Sequence, residues 1–563
     1  MSYWQPVKST NSTFPRKVII MNQLDQAKEL LSQWNNSENP NKSPGAVISI
    51  VQNGEAIFEH CVGMANIEHS IPITKETKFN IASCSKMFVA SACIKLQQDG
   101  FININNPAIQ YLDNLDISED ITIKHLLSMT SGIYEGYDLF PICGSFNDAY
   151  HAADDHIEIL NSLKSSNGKA GNNFIYNNSN YIILARIIEK VTGKHLDDYL
   201  NETIWQPLGM NNTSGDEAAS NININIASPY YKEHNKLTKG QICKTSLGNG
   251  HIISNLKDLK IWANILKNKN CNGINISSLF ETTSTTDGTL QTYGMGIKTL
   301  KYHNINLYGH GGLWEAGYAS SILYSPELDA SIIILSNCSD INTRKISLNL
   351  IDIFFKEKIT KIKADINTLP YPEHLLNHIN GTWVNENSGE VIDLKYNDTI
   401  LNLQLYDINT DLELQTNGSF TNDTLLTKIS IIPKEENGEY KISINWGGKK
   451  EIFTNKNQLK PPSVHPQQYI GVYHNSDIDA QHHISINEGK LYARFGGIHN
   501  NSKKIELIPV TEDIYKASCY LNSTINEDYT IKFEREKFSD TISQIKISTE
   551  RTKNLTLRKM KTF

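Results

Sequence analysis

From about residue 370 to its end, the chain alternates short apolar and polar runs with turn residues between them, and this tract repeats itself. "HINGTWVNENSGEVIDLKYNDTILNLQL" aligns with "QYIGVYHNSDIDAQHHISINEGKLYARF". Gly381 then meets Gly471, Trp383 meets Tyr473 and Leu401 meets Leu491, each pair 90 positions apart. Alternation with period two marks half-buried strands, and a repeat on this scale marks two copies of one structural unit. The expectation is two successive β-barrels or compact β-sandwiches of roughly a hundred residues each, since such units have to manage their exposed strand edges. "KPPSVHPQ", residues 460–467, reads as the linker between them.

The 563-residue chain is too long for one core. The expected division is 1–365, then a first barrel over 366–462 and a second over 463–563. Residues 23–35 place Leu24, Ala27, Leu30, Leu31 and Trp34 on one side of a helix. "GAVISIVQNGEAIFEH" reads as two strands joined by Asn53-Gly54, a pair suited to a tight hairpin. A long apolar helix follows and can end at Gly100. Residues 101–245 are mostly helical and loop-rich. Strands return in "INLYGHGG", "YASSILYS" and "DASIIILSN", before a helix from about 343 to 357. Strands, helices, strands and a helix imply an α+β domain, an antiparallel sheet flanked by helices. With every candidate catalytic group before residue 320, this domain is expected to hold its own core and to keep bond cleavage when 463–563 are removed.

A hydrophobic share of 39% and a charged share of 20% describe a globular protein. The net charge of -7 argues against a general nucleic-acid binder. No run of roughly 18 apolar residues suggests a membrane span. The first residues lack the apolar core of a secretory signal, so a cytoplasmic location is expected. The 8 cysteines are scattered singly without metal spacing, which makes reduced thiols the default. His374 and His378 stand four apart without a third ligand nearby, and His482-His483 point to opposite faces of a strand. Neither pair predicts a metal site.

Three motifs carry chemistry. In "FNIASCSKMFVASACIKLQQDG", Ser83 and Lys86 are three apart at a helix start, on one face and close enough to touch. A lysine in a partly dry cleft loses its proton more easily, and the neutral amine can activate a serine. That spacing also arises by chance, so other motifs must decide. "FIYNNSNYIILARIIEKVTG" offers Tyr176, a phenol that can share or lose a proton beside a lysine, and Asn178, with both a donor and an acceptor. The alternative there is a loop pair capping the next helix. In "YGHGGLWEAGYASS", Gly311 and Gly312 permit close backbone approach along a strand edge and His310 faces whatever approaches. The N–H of Leu313, with that of Ser83, can receive a developing oxyanion.

Taken in order, S-x-x-K, Y-x-N and H-x-G resemble the serine β-lactamase and penicillin-binding-protein superfamily. "ITIKHLLSMTSGI", "LGNGHIISNLKDLKIWANIL" and "TYGMGI" are similar to further pieces of that family, so the resemblance covers about 23–357. His310 stands where β-lactamases usually carry Lys, which places the chain nearer the class C-like peptidase and esterase branch. No segment resembles the glutamate region of class A enzymes, so antibiotic hydrolysis is not expected as the main activity. A catalytic domain followed by two barrels resembles the D-aminopeptidases, as do "GIYEGYDLFPICG" and the second repeat. The resemblance implies that a loop of the last barrel, here "CYLNSTINEDYT" at 519–530, reaches the site and selects substrates with a free D-amino terminus. The carboxylate this loop should carry is not plainly aligned, and Glu527 or Asp528 would take its place.

The function expected is therefore a serine hydrolase working through an acyl-enzyme. Ser83 is the nucleophile, Lys86 and Tyr176 move its proton, Asn178 orients the site, and His310 with Gly311 and Gly312 lines the far wall. An aminopeptidase releasing N-terminal D-residues leads. An esterase of the same branch and a silent binding scaffold are the rivals. Neither metal nor cofactor is expected. The partners expected are a small peptide, amide or ester and, at most, a second copy of the chain in a homodimer, with no nucleic acid or membrane.

Overall fold

The computed structural model describes residues 23–31, 42–145, 151–216, 222–233, 236–240, 247–314, 317–360, 374–397, 400–406, 408–415, 417–422, 429–436, 438–446, 449–462, 465–496, 504–520 and 526–561. Helix α1 (23–31) precedes β1 (Ala46–Gln52) and β2 (Glu55–Val62). Asn53 and Gly54 between those strands both have positive φ, 52° and 83°, as a type I′ hairpin requires. Residues 32–35 of the expected first helix lie outside the described residues.

The sheet is completed far downstream by β3 (Lys298–Tyr302), β4 (Ile305–Trp314), β5 (Tyr318–Ser325) and β6 (Ala330–Ser336). All neighbours are antiparallel in the order β3-β4-β5-β6-β1-β2. β5 and β6 are buried along their whole length because both faces of the sheet are covered. Alternation sorts the side chains. Ile332 and Ile334 pack with Ala27, Leu31, Leu350 and Ile351 of the terminal helices. Ile333 and Leu335 face the helical insertion between β2 and β3. At the centre of that insertion runs α2 (Ser85–Gln98), buried on nearly every side, with Phe88 against Trp262 at a ring separation of 4.1 Å. Beside it runs α3 (Ser179–Thr192), whose Ile182, Ile183, Ile187 and Ile188 are core. α4 (Thr343–Phe354) closes the domain. Among the described residues no helix is long and apolar enough to cross a membrane.

Both repeats are closed eight-stranded antiparallel barrels, from Gly381–Val384 to Lys449–Asn455 and from Gly471–Asn475 to Leu555–Lys559. The 90-residue offset has a physical meaning. Trp383 Nε1 donates to the Ile379 carbonyl at 2.8 Å, and Tyr473 Oη donates to the Tyr469 carbonyl at 2.9 Å. In each barrel a buried aromatic pins the chain four residues upstream. Leu401 and Leu491 are buried in their respective cores.

The barrels differ in what they pack against. The first has its own apolar core around Trp383, Leu412 and Phe420. The second shares one continuous core with the catalytic domain, Tyr469, Tyr473, Phe495 and Tyr529 belonging to the same cluster as Phe88 and Ile183. Its His482 contacts the Ile142 carbonyl at 3.0 Å, and a side chain on Gly144 would meet Gly496 Cα at 3.2 Å. This corrects the expectation that 463–563 can be removed without disturbing the catalytic domain. The sequence repeat defines a folding unit, but not which surface that unit buries. His482 is fully buried while His483 is exposed, as their alternation requires, and His378 stacks on Tyr440 at 3.9 Å.

Candidate active site

Ser83 sits on a single 3₁₀ turn, Ala82–Cys84, immediately before α2, rather than within the helix. The turn is strained. Ala82 has φ 47°, which a residue with a Cβ adopts at a cost, and its N–H is held by Asn80 Oδ1 at 2.7 Å. The strand β4 presses against it. A Cβ on Gly312 would stand 2.3 Å from the Ile81 carbonyl oxygen, so this position requires glycine for close approach. Gly311 does not, because its nearest contact would be Ser320 O at 3.7 Å. The pairing of β4 with β3 ends at Gly309, so from His310 onward that edge faces the serine turn. Leu313 lies on this edge with 54% of its surface exposed.

Lys86 is fully buried at the bottom of the site. Its Nζ lies 2.8 Å from Asn178 Oδ1, 2.8 Å from the Asn249 carbonyl and 3.0 Å from Ser83 Oγ. The first two groups can only accept. Two N–H bonds satisfy them, and a neutral amine then directs its lone pair at the serine hydroxyl. Burial pushes the Lys86 pKa well below its ordinary 10.5, opposed by the Glu135 carboxylate and reinforced by Arg551. Asn178 stands at the start of α3 but makes no capping hydrogen bond, its side chain being committed to the lysine.

The Tyr176 ring lies 4.9 Å from Lys86 Nζ. Burial raises its pKa, and the nearby Ser83 hydroxyl pulls it down only in part, so the resting phenol keeps its proton instead of losing it. Among the described residues its buried Oη meets hydrogen-bond geometry to no group, which leaves the O–H available for an incoming atom. His310 is buried and lines the same cavity. Its Nδ1 donates to the Gly311 carbonyl, and its Nε2 accepts from Tyr293 Oη at 3.1 Å. Burial, with Lys86 adding to it, drops its pKa to about 3, so His310 is a neutral wall and does not replace the charge of a lysine. Cys84 points behind the turn toward the His310 carbonyl and Ser320 Oγ, both at 3.2 Å, and burial pushes its thiol up to about 12.

These groups open onto a cavity of about 1070 Å³ bounded by the catalytic domain, one face of the first barrel and a hairpin of the second. That hairpin is 549–554, which brings Glu550 and Arg551 into the wall. Asp528 accepts from Ser518 Oγ at 2.5 Å within its own barrel and is absent from the cavity lining. Residues 521–525 and the side chain of Glu527 lie outside the described residues. Several residues of the site and its surroundings escaped the sequence reading. Asn249 and Glu135 fall inside stretches noted for resemblance, but nothing local marks their roles. Arg551 has no sequence signal at all. Arg344, on the first turn of α4, faces the cavity without a hydrogen bond or ion pair among the described residues, and loss of water around it lowers its pKa to about 10. It therefore stays charged.

A serine at a strained turn, a buried lysine aimed at it, a buried phenol and a free strand edge define a serine hydrolase. The chain belongs to the beta-lactamase family, whose model matches residues 35–351. A second model, described as D-aminopeptidase, domain B, matches residues 376–555. The chain is similar to a D-aminopeptidase of Brucella anthropi, 23% identical over 486 residues that cover 84% of this chain and 87% of that one. It also resembles the octameric penicillin-binding protein homologue from Pyrococcus abyssi, with a TM-score of 0.50 at 19% identity, covering 86% of this chain and 98% of that one. The structure of SurE gives a TM-score of 0.51 at 15% identity, covering 78% of this chain and 99% of that one.

Proposed function

We propose that the chain hydrolyses short peptides or amides through an acyl-enzyme on Ser83 and releases an N-terminal D-residue. The observation that carries the chemistry is the Lys86 amine, whose two committed acceptors leave its third direction to Ser83 Oγ. In this reading Lys86 takes the Ser83 proton as Oγ bonds to the substrate carbonyl carbon. The carbonyl electrons move to an oxyanion received by the N–H groups of Ser83 and Leu313. Collapse of that intermediate breaks the C–N bond. The departing nitrogen takes the Tyr176 proton, and Tyr176 recovers one from Lys86. Water then attacks the acyl carbon, giving its proton to Lys86, and collapse of this second intermediate breaks the acyl carbon–Oγ bond as Oγ takes that proton back from Lys86.

The D-residue preference draws on the similarity to the Brucella D-aminopeptidase along most of both chains. Arg344 suits the terminal carboxylate of a short leaving peptide, and Glu550 is a last-barrel carboxylate at the cavity wall. Hydrolysis of short acyl esters is the second reading, favoured by the withdrawal of Asp528 from the cavity.

A panel of paired D- and L-aminoacyl amides with short esters alongside tests the substrate. Intact-mass spectrometry with a slow acylating ester tests the chemistry, and the adduct is expected on the peptide containing Ser83 and absent from Ser83→Ala. An adduct on the Cys84 side chain would overturn the serine mechanism. Faster turnover of L- than D-amides would overturn the stereochemical assignment.

A further inference from the structure

We infer that His251 is a positioning residue of the catalytic centre, its imidazole closing the turn 248–251 and so fixing the Asn249 carbonyl that accepts from Lys86. Direct hydrogen bonds carry it. Asp197 holds the ring, the ring holds Gly248 N, and the next residue of that turn presents its carbonyl to the lysine. The inference rests on the reading of Ser83 as nucleophile and Lys86 as its base.

The segment "LGNGHI", 247–252, is anchored at both ends to the helices that carry the site. At its far end Ile252 N donates to Ser85 Oγ at 3.1 Å, beside Lys86 on the first turn of α2. The Ile252 carbonyl accepts from Ile81 N at 2.9 Å, and the His251 carbonyl accepts from Asp216 N at 2.8 Å. At its near end Gly248 has φ 79° and lies so close to α3 that a Cβ would stand 2.4 Å from the Tyr181 carbonyl oxygen. Asn249 and Gly250 span the turn between these anchors. A side chain closes it, because Gly248 N donates to His251 Nδ1 at 3.1 Å.

That contact settles the tautomer. A main-chain N–H can only donate, so Nδ1 carries a lone pair and the ring proton sits on Nε2. Nε2 then donates to Asp197 Oδ1 at 2.8 Å. Asp197 belongs to the helix Leu196–Leu200 and is wedged against the main chain, since a Cβ on Gly215 would collide with its carboxylate. His251 is fully buried, and turning its ring would leave buried polar groups unpaired. Two bonds at separate corners therefore fix the ring's proton and its rotation together.

The turn matters because of what Lys86 needs. Its Nζ stands 2.8 Å from the Asn249 carbonyl and 2.8 Å from Asn178 Oδ1, and these two acceptors leave the lone pair of the neutral amine for Ser83 Oγ. If the turn opens, the carbonyl withdraws and one N–H loses its partner. The amine can then rotate about its Cε–Nζ bond, and its lone pair is no longer held toward the serine. His251 itself is absent from the cavity lining, so its replacement acts on the bond-forming step and not on substrate binding.

The test separates the two ring nitrogens in the full chain. In His251→Asn the amide oxygen takes the place of Nδ1 and keeps the turn closed, while the contact to Asp197 is lost. In His251→Gln the longer amide reaches the place of Nε2 and keeps Asp197, while the turn loses its acceptor. Ser83 acylation by a short-chain nitrophenyl ester is followed before the steady state, with thermal unfolding in parallel. His251→Asn should acylate within about threefold of the natural protein, and His251→Gln about tenfold more slowly. The ester concentration at half-saturation should stay within about twofold in both. Equal rate losses in the two variants, a loss that follows Tm, or a loss that appears in half-saturation alone would overturn the inference. Should either variant unfold, neutron crystallography of the natural protein reads the ring directly. The proton is expected on Nε2, and a proton on Nδ1 facing Gly248 would sink the proposal. If the natural protein forms no Ser83 adduct, the serine reading itself fails, whereas a normal adduct with equal Asn and Gln rates removes only the role of His251.

Discussion

Gly312→Ala isolates the contact between the strand edge and the serine turn. The added Cβ would stand 2.3 Å from the Ile81 carbonyl oxygen, 2.4 Å from Ser320 Oγ and 3.0 Å from Ala82 Cβ. The Ser320 hydroxyl can rotate away, but the carbonyl is main chain and must retreat by roughly 1 Å to reach ordinary contact. It is poorly placed to do so. Ile81 O accepts from Ser320 Oγ at 2.7 Å, Ile81 N donates to the Ile252 carbonyl at 2.9 Å, and Ala82 already carries a strained φ of 47°. The displacement therefore passes to Ser83. Overpacking of this kind costs about 1–3 kcal/mol of stability. A shift of about 1 Å at a reacting atom costs on the order of 100-fold in rate. Gly311→Ala is the control, because its Cβ would meet nothing closer than Ser320 O at 3.7 Å. Thermal unfolding and kcat/KM on a short nitrophenyl ester measure both variants. The reasoning is refuted if Gly312→Ala and Gly311→Ala are indistinguishable in stability and in rate.

Arg344→Met should raise KM about tenfold for peptides with a free terminal carboxylate and leave the matching amides within about twofold, because a charge-assisted contact is lost only for the former; equal effects on both would remove Arg344 from substrate binding. Acid should destabilise the fold through His310 and His482, whose pKa values burial lowers to about 3 and about 4 from an ordinary 6.5. The folded chain binds these protons less readily than the unfolded chain, so their stabilisation is whole above about 6.5 and is lost as pH falls toward 4 and then 3. His482→Gln should flatten the fall of Tm between pH 6.5 and 4, and an unchanged slope would discount its share. Removing 463–563 should leave the catalytic domain largely insoluble or molten, since it strips one side of a shared core; a cooperatively unfolding, ester-cleaving fragment would contradict this.

What the sequence determined by itself is everything that local spacing controls. Period-two alternation and the 90-residue repeat gave two copies of one strand-built unit, barrel or sandwich, because burial on one face is written into successive residues, and closure into barrels is a tertiary outcome. Asn53-Gly54 gave the first hairpin, because few residues tolerate positive φ at both positions. The ordered trio of Ser83-Lys86, Tyr176-Asn178 and His310-Gly-Gly pointed to groups that the fold does gather at one cavity. Tertiary structure alone decided the charge states and the partners. Tyr176 keeps its proton and His310 stays neutral because of burial, which no short motif encodes. That the hairpin 549–554 reaches the site was not legible, because which barrel loops meet the cavity depends on how the second barrel docks. That docking is set by apolar residues spread over most of the chain, among them Ile142, Ile183, Tyr473 and Phe495. A lone Arg551, 375 residues after Tyr176 in the sequence, comes to 5.5 Å from the centre of that ring only through that packing.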